Sequence, residues 1–437
     1  MIDIELLRKN PDLFRTSMAK RNMSTQIIDD FLALDKEWRE ATAKSENMRA
    51  EQKKLGAARD IEGAKKIKEE LVALFATLET LDKKRHEIAL SLPNLLSPDV
   101  PEGKDETENK IVRTWGKPTE FDFTPLDHMA LGEKLGIVDN VRAAKVTAAR
   151  FTYLKGGAAQ LQLALMNFVF ATLTDPTIIR SIAEKIGVSE KPFTPIFPPM
   201  MINPEIYTRM ARLSPETKEE RYHIPSDDLY LIGSAEHTMG SMYADEVLPA
   251  ESLPIRYIGY STSFRREAGA AGKDTHGILR LHQFDKLEME SFSTPETSAK
   301  EHEFFVAIQE YLLQSLEIPY RVMAICGGDM GKPDYQQTDI DAWLPGQKYS
   351  AGGEDRLGRY RETHTADYMT DYQSRRLGTK YRPIPSSPAT AFVHMNDATA
   401  FAIGRTLIAI IENYQTKEGT IRIPKVLQKY TGITEIK

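Results

Sequence analysis

The sequence predicts an α+β protein, with a projecting antiparallel helical hairpin followed by one large mixed domain. Two heptad series within the first hundred residues predict the hairpin. Helix-like and strand-like stretches mixed from about residue 111 to the end predict the second part. The composition is that of a globular chain: 437 residues, 41% hydrophobic and 27% charged, with 26 Gly and 24 Pro. Those values exclude collagenous, mucin-like and broadly disordered classes. At about 150 residues per domain, the length allows two or three domains.

The hairpin comes first. From Ile27, apolar or small residues recur in four- and three-residue steps through Phe31, Leu34, Trp38, Ala41, Ser45, Met48 and Gln52 to Leu55. A second series runs Ile67, Leu71, Leu74, Leu78, Leu81, Arg85, Ile88, Leu92. Both have the period of a coiled-coil seam. Between them, Gly56 to Gly63 reads as a turn around Arg59 and Asp60. If the arms fold back, Leu55 faces Ile67, Met48 faces Leu74, Ala41 faces Leu81 and Leu34 faces Ile88. Each pair of positions sums to 122, so the two registers match. At 1.5 Å per residue the arm reaches about 43 Å. The hairpin, about 27–92, lies in a first unit of residues 1–110. Pro93 closes the second arm, and Leu95 to Lys110 reads as a polar linker. Residues 111–437 form the second unit.

Charge narrows the partners. The chain has 57 basic and 63 acidic residues, a net of −6, so nucleic acid would need a local basic patch. The distal hairpin supplies one. Lys44, Arg49, Lys53, Lys54, Arg59, Lys65, Lys66 and Lys68 stand against Glu46, Glu51, Asp60 and Glu62, a local +4. This surface reads either as a solvated coiled-coil face or as an arm that touches phosphates. Cys326 is the only cysteine, so an internal disulfide, a Cys-based zinc site and a Cys-ligated cluster are excluded. The start alternates acids and bases, unlike a secretory signal. No apolar run approaches a membrane span. A cytoplasmic protein without membrane partners is expected.

The chemistry concentrates in residues 254–292, two strand-like runs around a Gly-rich loop, Ala268 to Gly277. Alternate side chains of a strand share a face. Arg265 and Glu267 therefore point together on the first run. Arg280, His282, Phe284, Lys286, Glu288 and Glu290 form one row on the second, opposite the apolar row through Leu281, Leu287 and Met289. Guanidinium forks suit phosphate oxygens, an aromatic ring between them can stack on a base, and a carboxylate accepts from an amine or hydroxyl. A charged solvent face is the plainer alternative. Neither Gly272-Lys273 nor Gly331-Lys332 completes a P-loop, and no Rossmann fingerprint follows a strand. His276 and His282 lack metal-ligand spacing, and no zinc is expected. Gly404-Arg405 opens a helical run, placing a cation where the helix dipole disfavours one unless an anion sits there.

These residues resemble bacterial-type seryl-tRNA synthetases over effectively the whole chain. The likeness runs through MIDIELLRKNPD, the hairpin, RTWG, LGEKLGIVDN, LIGSAE, FRREAG, GKDTHG, R-HQFDK-E, GDMG, WLPGQ, YQSRRL and GRTLIAI. It implies a class II catalytic domain, an antiparallel sheet flanked by helices, that makes seryl-adenylate from ATP and L-serine and then charges tRNA(Ser). Ile196 to Asn203 would build a homodimer interface. By the same resemblance, Arg265 would hold the ATP α-phosphate and the serine carboxylate. Glu267 and Phe284 would take adenine, Arg280 and Arg405 the terminal phosphates, and Glu362 the Mg²⁺ that accompanies ATP, with Thr365 beside it. Serine would meet Ser234, Glu236, Glu288 and Thr399. The basic hairpin would grip the tRNA.

The chain departs from the family where that site is expected. His364-Thr365-Ala366-Asp367-Tyr368 stands for SSCSN, Asp397-Ala398-Thr399-Ala400 for NGSG, and Ser234 to Ser241 for TAEVPLTN. About nine residues, Ser350 to Gly358, are inserted. Two rival readings stay open: a paralogue activating another amino acid or loading another acceptor, and a non-catalytic RNA-binding scaffold.

Overall fold

The structure, a computed structural model, describes residues 1–267, 277–351 and 354–437. Two short helices, Ile4–Lys9 and Pro11–Lys20, lead into the long arms Gln26–Ala57 and Ile61–Ser91. Arg59 turns the chain with φ +61°. Asp60 then caps the second arm by accepting from the Gly63 N–H at 2.9 Å. Every heptad position in both series is buried or half-buried. The Arg85 guanidinium lies 3.9 Å from the Trp38 ring centre, and that of Arg49 lies 4.7 Å from Phe75. These pairs fall within two residues of the register the sequence predicts.

The arm is fixed at its base by a carboxylate. Asp35 is fully buried and accepts from Arg8 at 2.8 and 2.7 Å, Arg39 at 3.0 Å and Arg85 at 3.2 Å. Burial alone would raise its pKa, but the three guanidiniums outweigh that and hold it below the ordinary value. Phe14, Ile28, Phe31 and Ala89 pack with Tyr372 of the larger unit, whose hydroxyl donates to the Leu92 carbonyl at 2.7 Å.

The larger unit is built on eight strands. They are β1 (Lys110–Trp115), β2 (Thr194–Ile196), β3 (Ile255–Phe264), β4 (Gln283–Ser293), β5 (Tyr320–Ala324), β6 (Gln336–Ala351), β7 (Glu354–Thr370) and β8 (His394–Ala402). Their order is β1-β5-β6-β7-β8-β4-β3-β2. Neighbours are antiparallel except β2 and β3, which are parallel. Helices Gly157–Thr174, Ser298–Ser315 and Ile403–Asn413 pack against the sheet. The first of these is long and apolar enough, by length and composition, to cross a membrane. That corrects the expectation of no such run. Its Leu161, Leu165, Phe168 and Leu173 are buried in the core.

Two details of the central hairpin differ from the sequence reading. The strands stop at Phe264 and resume at Gln283, so Arg265, Glu267, Arg280 and His282 stand beyond their ends. Glu267, with φ +51°, turns the backbone out of the sheet. From Lys286 to Ser293 every residue of β4 is buried. The alternation therefore separates two covered faces, and neither is a solvent face. Most of the Gly-rich loop, residues 268–276, lies outside the described residues. The inserted segment extends the β6–β7 hairpin, with Lys348 paired to Leu357 and Tyr349 to Arg356.

Asp35→Ala is expected to destabilise the arm's base by about 3 kcal/mol, the low end for a broken buried pair because the arginines can rehydrate. Hydrogen exchange across Gln26–Ala57 would show faster opening near residue 35, and unchanged protection there would contradict this.

Candidate active site

A cleft opens where the ends of β3 and β4 approach β7 and the start of helix Ile403–Asn413. Arg265, Glu267, Arg280, Phe284, Glu362, Thr365, Thr399 and Arg405 all line it. The chain folds these positions together from four separate segments. Arg265 donates from Nε to the Gly233 carbonyl at 3.1 Å, and its guanidinium carbon sits 5.3 Å from the Phe284 ring centre. Arg280 pairs with Glu267 at 3.1 Å. Arg405 donates from Nη1 to Glu362, to Oε1 at 2.5 Å and to the carbonyl at 3.0 Å. Gly404 lets the backbone approach closely, since a Cβ there would stand 3.2 Å from the Ile278 carbonyl oxygen.

The helix that begins at Ile403 has no side-chain cap at Ala402. Its first N–H groups and its dipole therefore add to the positive field of three arginines. Such a cleft suits a polyanion. Phe284, beside the Arg265 guanidinium, supplies a flat apolar face.

The outer wall brings Glu362 opposite Asp341 and places Asp339 opposite Thr365. Burial, then the Glu362 charge, pushes Asp339 well above its ordinary pKa. Partial loss of solvent works against charge on Glu362, but Arg405, Arg265 and Arg280 outweigh it and hold the carboxyl low. Hard carboxylate oxygens beside an anion cleft are the donor set that Mg²⁺ takes, so these residues fit that ion.

The positions that the resemblance assigns to serine divide. Thr399 lines the cleft, whereas Ser234, Glu236 and Glu288 are buried and do not form its wall. Lys286, itself on the wall, links the two levels: its Nζ donates to Ser234 Oγ at 3.2 Å and pairs with Glu288 at 2.6 Å. Burial lifts Glu288 to about 7 although Lys286 opposes the shift. Glu236 is the reverse. Burial resists its charge, yet Arg212 at 2.7 Å and His237 at 3.4 Å keep its carboxyl well below the ordinary range. Burial drives His237 to about 3, so the ring is neutral. Its Nδ1 accepts from the Gly233 N–H at 3.1 Å, which leaves Nε2 to carry the proton toward Glu236.

Two departures from the family meet here. Glu290, Asp397 and Asp367 are successive cross-strand partners on β4, β8 and β7, all buried. Burial and neighbouring carboxylates push Asp397, Asp367 and Glu290 well above the ordinary range. Arg212 is the cation facing them, 3.4 Å from Asp397 and 3.9 Å from Asp367. Sequence reading missed Arg212: no spacing connects it to these acids, and only the two aspartates hint that a cation must be near.

At the hairpin tip, Lys44, Arg49, Lys53, Lys54, Arg59, Lys65, Lys66 and Lys68 are all exposed. Among the described residues none of them forms an ion pair; Arg49 rests on Phe75.

The antiparallel sheet and its arginine-lined cleft define a class II aminoacyl-tRNA synthetase core. Residues 220–414 match the tRNA synthetase class II core domain (G, H, P, S and T), and residues 1–96 match the seryl-tRNA synthetase N-terminal domain. The serine–tRNA ligases of Thermosipho africanus and Thermobifida fusca are each 38% identical, covering 100% and 99% of this chain and 99% and 98% of their own. The crystal structure of seryl-tRNA synthetase from Pyrococcus horikoshii complexed with ATP superposes with a TM-score of 0.89 at 37% identity, covering 100% of this chain and 99% of that one. The cytoplasmic serine–tRNA ligase of Naegleria fowleri, solved with AMP, gives 0.87 at 30% identity over the same shares. The chain belongs to the seryl-tRNA synthetase family.

The Glu288 shift has a sign that can be tested. A folded-state pKa of about 7 against an ordinary 4.5 favours the protonated form in the fold. Stability should therefore fall as pH rises from about 4.5 to about 7. Glu288→Gln is expected to remove roughly one proton's share of that slope, measured by denaturant unfolding across the window; an unchanged slope would contradict it.

Proposed function

We propose that this chain is a serine–tRNA ligase: it activates L-serine with ATP, releases pyrophosphate, and transfers the seryl group to the 3′ end of tRNA(Ser). The observation that carries this is the convergence of Arg265, Arg280 and Arg405 with Phe284 and Glu362 on one cleft.

In this reading Phe284 stacks on adenine beside Glu267, while Arg280 and Arg405 hold the terminal phosphates. Arg265 lies between the α-phosphate and the serine carboxylate. A carboxylate oxygen of serine attacks the α-phosphorus, a new P–O bond forms, and the bond to the pyrophosphate oxygen breaks. The arginines act by neutralising charge on that displacement, so little proton transfer is required of the protein. Mg²⁺ would be held by Glu362 with Thr365 beside it, and supplies further charge neutralisation to the phosphates. The ribose hydroxyl of the tRNA then attacks the acyl carbon, and AMP leaves.

The ammonium of serine is read by Glu236 beside Ser234, and its hydroxyl by Glu288 and Thr399. A buried polar group left unpaired rejects alanine, by about 10⁴-fold in sites of this kind. A second reading, activation of another amino acid, is favoured by the three carboxylates Glu290, Asp367 and Asp397 beneath this pocket.

Residues 1–110 would bind tRNA, through exposed cations not engaged with acids, and 111–437 would carry out both chemical steps. A homodimer is supported by β1, an edge strand whose six residues are all exposed, with Ile111 at 55% and Val112 at 56%, and by Phe197 at 71%. An edge with free backbone groups and exposed apolar side chains invites pairing. The single, buried, unpaired Cys326 suits the reducing cytoplasm.

Charging of tRNA(Ser) with labelled serine tests the assignment. Arg265→Ala should lose adenylate formation by about 10²-fold or more. Deleting residues 44–68 should leave adenylate formation near normal and cripple charging. Equal loss of both steps in the deletion would show that the arm is not a dedicated RNA-binding element.

A further inference from the structure

We propose that Arg212 is a positioning residue for amino-acid recognition, holding the Glu236 carboxylate ionised and fixed for the substrate's ammonium. The inference rests on the reading of Glu236 as an amino-acid contact. It adds a residue that does not line the nucleotide cleft.

Arg212 follows the short helix Pro204–Arg209, and its backbone N–H donates back to the Tyr207 carbonyl at 3.3 Å. Its side chain is 16% exposed and reaches three carboxylates from three different segments. Nε lies 2.7 Å from Glu236 Oε1. Nη2 donates to Asp397 at 3.4 Å and lies 3.9 Å from Asp367. A guanidinium cannot lose its proton, so it is a permanent countercharge where burial would otherwise neutralise acids.

The geometry makes the effect directional. Glu236 opens the helix Glu236–Met239, and among the described residues its carboxylate meets cations or donors on Arg212 and His237. His237 is neutral, so Arg212, in contact at 2.7 Å, is the largest full charge acting on Glu236, with Lys286 adding a smaller one. Asp397 and Asp367 hold the other end of the guanidinium from adjacent strands. The guanidinium thus meets acids on both sides, in ionic contact with Glu236 and hydrogen-bonded to Asp397, and a flexible ammonium could not span the same points. ATP is expected to be insensitive to this clamp, because its proposed contacts are on the arginine-lined wall.

The test is amino-acid-dependent ATP–pyrophosphate exchange with Arg212→Met, Arg212→Lys, Glu236→Gln and the double variant Arg212→Met/Glu236→Gln. Thermal melting checks that each is folded. Arg212→Met should raise the KM for serine by about tenfold or more and leave the KM for ATP within about twofold. Arg212→Lys should fall between it and the parent. Since Arg212 acts through Glu236, the double variant should be no worse than Glu236→Gln alone. Equal rises in both KM values, or additive losses in the double variant, would overturn the proposal. If the parent protein exchanges with a different amino acid, the serine reading fails, and the same four variants test Arg212 with that amino acid. If Arg212→Met unfolds, Arg212→Lys decides: a serine-specific rise supports the clamp, and parent-like KM values for both substrates overturn it.

Discussion

Burial of charge without a countercharge is the constraint this structure answers repeatedly. A carboxylate taken out of water costs several kcal/mol unless a cation and hydrogen bonds replace the lost solvent. At the base of the arm three arginines surround Asp35. Under the sheet, Arg256 and Glu301 are both essentially inaccessible and pair at 2.6 Å, with the guanidinium over Phe304 at 4.4 Å. Beside the cleft, Arg212 and Lys286 are set among Glu236, Glu288, Asp367 and Asp397. For Asp35, Glu301 and Glu236, removing the cation would leave an acid that must protonate or move.

The same rule separates the cleft from the layer beneath it. In the cleft, positive charge predominates: three arginines and the open start of a helix face the solvent-accessible space. Beneath it, acids predominate, but burial has raised the pKa of Asp367, Asp397 and Glu290 toward their neutral forms, while Glu236 stays ionised. In the proposed reading a zwitterionic amino acid would lie across that boundary, its carboxylate toward the arginines and its ammonium toward Glu236. The arm sits apart from both, tied to the body through Tyr372 and free at its basic tip.

Much of this was legible in the sequence, for physical reasons. The arm declared itself because two helices wound only on each other must repeat apolar residues every 3.5 positions. The cleft residues were legible as residue types, since guanidiniums, an aromatic ring and carboxylates crowd into one stretch. Depth was not legible. Strand alternation cannot say whether the polar face of β4 meets water or a second layer of protein, and here both faces are covered. Nor does alternation show where a strand stops: β3 ends at Phe264, ahead of Arg265 and Glu267, and Glu267 takes a left-handed backbone. Arg212 was invisible because its contacts with Asp367 and Asp397 join distant parts of the chain.

The most direct test of the account is ATP–pyrophosphate exchange run with serine, threonine, alanine and no amino acid. The account predicts exchange with serine and none above background with the other three. Exchange driven by threonine or alanine in preference to serine would contradict the assignment of the pocket. Absence of exchange with every amino acid would contradict the claim that this arginine-lined cleft activates one.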